Sequence, residues 1–350
     1  MIDHLSHQFN QIDPLKSLVS IVIPVFNEEE NITKLSERLV AAAPSWDLPF
    51  EVILVDDGSK DKTLSLLRQL HQQDSRFKYI SFSRNFGHQT AVSAGLRYTK
   101  GNVIAVMDAD LQDPPEQLYR FLDKWREGYE VIYGIRTKRK ENIFKRSAYH
   151  IFYRILAWCS SIDIPLDSGD FCVMDRAVVD WLNSMPERNR FVRGLRSWIG
   201  YRQIGIPYER DKRFAGEVKY TFQKLLRLAF DGIINFSYRP LQISGSFGFL
   251  VCLSSFLGII FVVVHRILGF EIFGYSPQDV PGFTTLVLAV LFIGGVQLLT
   301  MGLFGEYLGR IFDEVKQRPL YIVKEQEGFK VHEGSYSSAT LLPGDLNRQN

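Results

Sequence analysis

The chain has 350 residues, with 41 lysines and arginines against 39 aspartates and glutamates, for a net charge of +2. A balance so near zero argues against nucleic acid or another polyanion as partner, and the length exceeds one average domain. Nearly all the long apolar runs fall after Leu241, so the composition divides the chain into a soluble domain and a membrane tail.

Residues 1–17 are polar and lack the apolar core of a secretory signal, so they read as an N-terminal extension. Residues 18–25 have the pattern of a buried strand, and Asn27 with Glu28, Glu29 and Glu30 makes an acidic helix start before Leu35 and Leu39. A second strand over 51–55 runs into Asp56-Asp57-Gly58-Ser59. Asp-Gly commonly marks a hairpin, but 62–70 has helical spacing, so the turn joins a strand to a helix. A third strand, 79–82, leads through Arg84-Asn85-Phe86-Gly87-His88 into a helix over 89–98. The fourth, from Val103, ends in Asp108-Ala109-Asp110-Leu111-Gln112-Asp113-Pro114-Pro115. A helix over 117–125 and a fifth strand over 130–134 follow. This alternation predicts an α/β fold with a doubly wound, mostly parallel sheet. Cys159, Cys172 and Cys252 have no metal-like spacing and fit reduced thiols.

Three polar strand ends then meet on one edge of the sheet: Pro24 with Glu28, Asp56 with Asp57, and Asp108 with Asp110. Ligands bind at that edge in open α/β sheets, and the helix starts beside it suit phosphate. Asp108 and Asp110, two apart, can grip one cation, whereas Asp113 before Pro114 reads as a helix cap. Neither a G-x-G-x-x-G after the first strand nor a Walker lysine motif occurs. That disfavours dinucleotide and P-loop chemistry and leaves a metal-bridged diphosphate. Gln112 could complete the cation cage or could equally be a polar turn residue.

Ile23-Pro24-Val25-Phe26-Asn27-Glu28, Val55-Asp56-Asp57-Gly58-Ser59 and Met107-Asp108-Ala109-Asp110-Leu111-Gln112 resemble the nucleotide-site motifs of family 2 glycosyltransferases. Gly134-Ile135-Arg136, Ser168-Gly169-Asp170-Phe171, Gly216-Glu217-Val218-Lys219-Tyr220 and Gly305-Glu306-Tyr307-Leu308-Gly309-Arg310 narrow the resemblance to polyprenyl-phosphate glycosyltransferases. Among these it is nearest the bactoprenol glucosyltransferases, with dolichyl-phosphate mannose synthase more distant. The resemblance implies a GT-A fold, a nucleotide-sugar donor and a Mg²⁺ or Mn²⁺ cofactor. It places Pro24, Phe26, Glu28, Val55, Asp56 and Asp57 around the nucleoside, and Asp108, Ala109, Asp110 and Gln112 at the diphosphate. The metal would lie on Asp108, Asp110 and Gln112. Arg136, Arg146, Arg213 and Lys219 would meet the acceptor phosphate, and Asp170, Asp110 and Arg136 would act in transfer. Val218 stands where many relatives carry serine.

A polyprenyl phosphate has a second pKa near ~6 and is already largely ionised at neutral pH. Asp170 is therefore expected to orient acceptor or sugar, with base catalysis the second reading and a turn or cap acid the third. Asp167 is the alternative acid if the pattern is offset. Arg193, Arg196 and Trp198 are similar to the Q-x-x-R-W box of processive synthases, but the glutamine is missing, which argues for one sugar per acceptor. Arg136, Lys138, Arg139, Lys140, Lys145 and Arg146 lead into an amphipathic stretch over 144–158 that suits anionic lipid.

The expected domain division is a catalytic domain over 18–215, an interfacial helix region over 216–240, two membrane helices within 241–306, at about 241–264 and 283–304, and a tail over 307–350. Both spans lack charged residues. Flanking lysines and arginines orient both termini toward the cytoplasm, which predicts a multi-pass protein of the inner (plasma) membrane. Gly294, Gly295, Gly302 and Gly305 permit close helix contact and hence homo-oligomers. The activity that the resemblance implies is inverting transfer of one sugar from UDP-glucose to polyprenyl (undecaprenyl) phosphate. GDP-mannose and a UDP-aminoarabinose donor are the alternatives, and a non-catalytic nucleotide-sugar-binding subunit is a further one. A separate flippase is expected downstream, since two charge-free spans are poor transport machinery.

Overall fold

The computed structural model describes residues 17–136, 168–188, 190–211, 239–268 and 282–329. They fall into two compact units, one comprising the described residues up to 211 together with 318–329, the other those within 239–317. The amphipathic stretch expected over 144–158 lies outside the described residues, as does the interfacial region expected over 216–240 up to 238.

In the first unit the described strands form one eight-stranded sheet: β1 (Val19–Val25), β2 (Phe50–Asp56), β3 (Phe77–Phe82), β4 (Val103–Val106), β5 (Val131–Arg136), β6 (Ser168–Asp175), β7 (Gln203–Tyr208) and β8 (Val323–Glu327), in the order β7-β5-β6-β4-β1-β2-β3-β8. The helices between them are α1 (Ile32–Ala42), α2 (Thr63–Gln73), α3 (His88–Tyr98), α4 (Leu118–Arg126), α5 (Arg176–Ser184) and α6 (Val192–Ile199). β1 and β2 are buried along their whole length, as parallel strands covered on both faces must be. Successive β2 side chains serve two cores. Val52 and Leu54 join Leu35 and Leu39 of α1, whereas Ile53 and Val55 join Ala91 and Ala94 of α3.

β1 pairs in parallel with β2 on one side and with β4 on the other. This is where the strand order reverses, and it opens a crevice at the carboxyl ends of the strands. β4 stops at Val106 opposite Val22. Pro24, which has no N–H to give, lies beyond that ladder, which explains how a central strand tolerates it.

Part of the expected topology changes. β6 enters between β4 and β5 and runs antiparallel to both, so the fifth strand is not β4's neighbour. β7, parallel to β5, closes that edge. The parallel pairings β1–β2, β1–β4, β2–β3 and β5–β7 retain the mostly parallel, GT-A-like α/β character.

The segment expected as a polar tail returns to the sheet. β8 lies antiparallel to β3. Glu325 accepts hydrogen bonds from Arg68, by Nε at 2.7 Å and also by Nη2, and from the Tyr79 hydroxyl at 2.5 Å. Tyr321 stacks on Phe82 with ring centroids 4.9 Å apart, and the Ser83 N–H donates to the Ile322 carbonyl at 3.0 Å. A charged row on an edge strand also guards against pairing with another chain.

The second unit contains α7 (Arg239–Leu268) and α8 (Gly282–Val315), covering both expected spans and extending past them. Phe249, Leu250, Phe256, Leu257, Leu286 and Leu298 are exposed. Among the described residues no helix is long and apolar enough to cross a membrane. The two expected spans are therefore not supported among the described residues.

Arg68 and Tyr79 depress the Glu325 carboxyl to about 2, below the roughly 4.3 of an unfolded chain. Its contribution to stability is therefore complete above pH ~4.3 and lost as the pH falls through about 2. Glu325→Gln is expected to raise amide hydrogen exchange in 323–327 at neutral pH and to flatten its acid dependence. Exchange mass spectrometry at pH 7 and pH 3 checks both.

Candidate active site

The site begins where β4 ends. The Met107 N–H still bonds to the Val22 carbonyl at 3.1 Å, after which the chain turns. Asp110 Oδ1 accepts the Gln112 N–H at 3.1 Å, and Leu111 takes the left-handed conformation with φ 60°. A positive φ at a leucine is uncommon and is held here by the turn. The turn presents three carboxylates to one guanidinium. Arg210, two residues past β7, places Nη2 3.9 Å from Asp108 Oδ2 and 3.9 Å from Asp110 Oδ2, and Nε 3.6 Å from Asp113 Oδ1.

Asp113 is not the helix cap expected from its place before Pro114. The short 3₁₀ turn Pro115–Gln117 has no side-chain cap. Asp113 is fully buried and accepts a 2.5 Å hydrogen bond from the Tyr208 hydroxyl, so it ties β7 to the turn. Gln112 binds the same returning segment. Its carbonyl accepts the Asp211 N–H at 3.0 Å and its amide donates to the Asp211 carbonyl at 3.4 Å. Asp211 also receives Arg38 at 3.1 Å.

A second cluster lies beside the first. His88 opens α3, and its Nε2 is 3.3 Å from Asp170 Oδ2 and 3.8 Å from Asp108 Oδ1. Arg193 of α6 grips Asp170 with both arms, Nε to Oδ1 at 2.7 Å and Nη2 to Oδ2 at 2.8 Å. Desolvation alone would lower the His88 pKa, but the hydrogen bond to Asp170 and the charge of Asp108 outweigh it and hold His88 up at about 9. Asp170 is itself desolvated, yet Arg193 and then His88 pull it well below the ordinary carboxylate range. Asp108 is pushed up to about 6 by desolvation and by Asp113, Asp170 and Asp110, against the attraction of His88.

The residues expected around the nucleoside divide into two groups. Asp57 is at the ligand edge, where it accepts the N–H groups of Phe86 at 2.6 Å and Gly87 at 3.0 Å. Burial raises its pKa despite those bonds. Glu28 and half-buried Phe26 follow β1, with the Glu28 N–H on Thr63 Oγ1 at 2.9 Å and its carboxylate accepting Asn31 at 2.5 Å. Asp56, by contrast, turns inward. It is buried and bonded to the Ser59 N–H at 2.9 Å and the Ser81 hydroxyl at 2.6 Å. Val55 packs under α3, where a β-carbon on Gly95 would lie 3.2 Å from it. Ala109 is buried in the other core cluster, and Pro24 pairs with Val55 within the sheet. Asp56, Val55 and Ala109 therefore shape the edge from behind.

Arg136 ends β5 opposite Tyr208 of β7; its side chain is outside the described residues, as are Arg146, Arg213 and Lys219. His88 and Tyr208 are the site members that the sequence reading did not single out; Arg193 was read only within the box-like stretch, and Arg210 only as part of the basic run toward Arg213. The available signals were the glycine before His88 and the basic character of 210–213; no spacing links position 88 to 108 or 170.

The donor set fits a divalent cation. Asp108 and Asp110 each bring an oxygen to 3.9 Å from the Arg210 Nη2, and such carboxylates suit Mg²⁺ or Mn²⁺; His88, Asp108 and Asp170 also converge within 4.8 Å, but His88 as an imidazolium has no lone pair for a metal.

The family model described as glycosyl transferase family 2 matches residues 20–182. The uncharacterized glycosyltransferase YkcC of Bacillus subtilis (strain 168) is 46% identical over 312 residues, covering 89% of this chain and 94% of that protein. The bactoprenol glucosyl transferase of Shigella phage SfX is 36% identical, with 88% and 99% covered. Mannosyl-3-phosphoglycerate synthase from Rubrobacter xylanophilus is 18% identical with a TM-score of 0.44 over 69% of this chain and 80% of that one, too distant a likeness to carry an argument. The chain belongs to glycosyl transferase family 2 and is a glycosyltransferase.

Removing the Tyr208 hydroxyl strips a buried carboxylate of a donor. Tyr208→Phe is expected to lower stability by about 1.5–3 kcal/mol, read as a shift in the denaturant midpoint with unchanged slope.

Proposed function

We propose that this enzyme transfers one sugar, with inversion, from a nucleoside diphosphate sugar to a polyprenyl phosphate at a membrane surface. The observation that carries this reading is the state of Asp170, the acid at the acceptor side of the edge. Its two oxygens are held by Arg193 at 2.7 and 2.8 Å, with His88 at 3.3 Å. A carboxylate so stabilised in its ionised form is a poor proton acceptor. A hydroxyl acceptor needs a base, but a phosphate monoester with a second pKa of ~6 does not. The acceptor class that matches this site is one already ionised. The lipid part of the proposal draws on the Shigella phage relative, which is named a bactoprenol glucosyl transferase.

In the proposed reaction a phosphate oxygen of the acceptor attacks the anomeric carbon as the bond to the diphosphate breaks, so one displacement inverts that carbon. Asp108 and Asp110, with Gln112 beside them, would hold Mg²⁺ or Mn²⁺, which neutralises the leaving diphosphate when bound. His88 and Arg193 fix the orientation of Asp170, and Asp57 steadies the 86–87 backbone beside the nucleoside. Arg136, Arg146, Arg213 and Lys219 are proposed to offset the acceptor's charge, since two anions must meet. UDP-glucose is the proposed donor, with GDP-mannose and UDP-aminoarabinose as its rivals.

The uncharged runs 241–264 and 283–304 are proposed as the membrane anchor. Support comes from the sequence, in which each run is free of charged residues and exceeds the roughly 20 residues that suffice for a ~30 Å hydrocarbon layer. Their exposed phenylalanines and leucines add to it.

The test is transfer of labelled sugar from a panel of nucleotide sugars into polyprenyl phosphate, with a chelator control. Lipid labelling from one donor, abolished by chelation and by Asp108→Asn, is the expected result; binding without transfer to any polyprenyl phosphate would reject the acceptor. Asp170→Asn is expected to cut turnover about 10²-fold or more while the acid limb near pH ~6, set by the acceptor phosphate, persists. Loss of that limb would make Asp170 the base.

A further inference from the structure

Arg210 has no part in the mechanism just described, yet it is placed at the centre of the acidic turn. One nitrogen, Nη2, lies 3.9 Å from a carboxylate oxygen of Asp108 and 3.9 Å from one of Asp110, while Nε lies 3.6 Å from Asp113. These separations exceed a hydrogen bond but are well within strong Coulombic range. Two carboxylates thus converge on a single positive atom, the arrangement a divalent cation would require of them. The Arg210 side chain is 27% exposed, so it borders solvent and has room to leave. Its backbone neighbour is latched to the same turn: Asp211 exchanges the 3.0 and 3.4 Å bonds with Gln112 and receives Arg38 at 3.1 Å.

We propose that Arg210 is a resident countercharge that occupies the cation's place between Asp108 and Asp110, that a divalent cation must displace it to bind, and that the 209–211 segment shifts when it does. This inference rests on the assignment of the donor cation to Asp108 and Asp110. The physical reason is charge. Without a positive partner, Asp108, Asp110 and Asp113 would repel one another at the end of a buried strand, and a tethered guanidinium supplies that partner in the absence of donor. A divalent cation brings twice the charge in a smaller radius and wins the exchange. The released guanidinium then has five N–H donors free for phosphate oxygens, which it binds bidentately. Cation and donor diphosphate would together be favoured over either alone, so the enzyme would be set to take up the metal with its nucleotide.

The experiment is titration of Mn²⁺ into the full-length chain in detergent, with free ion measured by electron paramagnetic resonance, without nucleotide and with UDP. Arg210→Ala is expected to bind Mn²⁺ about tenfold more tightly than the unaltered chain without nucleotide, as removal of a unit charge at ~4 Å in a partly solvated site implies. Arg210→Lys, which keeps the charge, is expected to stay near the original affinity, and Asp108→Asn to abolish the gain. In the unaltered chain Mn²⁺ should also raise hydrogen exchange of the peptide covering 209–211. Equal or weaker Mn²⁺ binding by Arg210→Ala, with Asp108→Asn still impairing the unaltered chain, overturns the countercharge role and leaves the cation site standing. Mn²⁺ binding indifferent to Asp108→Asn, or none in any variant with or without UDP, overturns both.

Discussion

The structure around the site depends on one electrostatic constraint: β4 delivers Asp108, Asp110 and Asp113 into a buried turn, and β6 brings Asp170 alongside. Such a concentration of carboxylate at a strand end is unfavourable unless positive groups surround it. The fold supplies them from three directions. His88 comes from the start of α3, Arg193 from α6 and Arg210 from the segment after β7. β6 and β7 can be understood in these terms. An antiparallel strand inserted beside β4 places Asp170 at the same edge as Asp108, and β7 carries Tyr208 and Arg210 to Asp113.

The same constraint separates two kinds of acid within one short motif. Asp113 is wholly enclosed and bonded to Tyr208, so its work is structural. Asp108 keeps a quarter of its side chain exposed and faces both His88 and Arg210, so it is the one placed to exchange partners. The second strand end repeats the division. Asp56 faces inward to Ser59 and Ser81, while Asp57 faces the loop before α3. Adjacent strand residues point to opposite sides, and the doubled aspartate turns that geometry into one brace and one edge group.

The first five strands and α1 to α4 are legible in the sequence because each is a run of local pattern: continuous apolar stretches for buried strands and spaced leucines for helices. The nucleotide-site motifs are legible for the same reason, since each is contiguous. What escapes local reading is pairing between distant segments. Nothing near Asp113 announces Tyr208, ninety-five residues on, and the Asp-Pro pair suggests a cap instead. Val55 and Ala109 sit inside recognisable motifs, yet their side chains are committed to the cores, because a motif records a stretch of backbone and alternate residues of a strand face away from the ligand. β8 escapes because five residues of mixed charge carry no strand signal; its place is decided by Arg68 and Tyr79, which are already arranged on the sheet edge to receive Glu325.

That last strand connects a remote part of the chain to the site. β8 pairs with β3, and its approach stacks Tyr321 on Phe82, which also meets the ring of Phe86 edge-on with centroids 5.7 Å apart. Phe86 and Gly87 are the residues whose N–H groups hold Asp57, and His88 follows them directly. The segment after α8 is therefore part of the support beneath the 83–88 loop, in series with Asp57 and one residue from the histidine that joins Asp108 to Asp170. Loops that carry function need such a scaffold, because their own backbone supplies few internal bonds. Here the scaffold comes from a segment that follows the two long helices, so the catalytic unit is complete only when the chain has passed through α7 and α8 and returned.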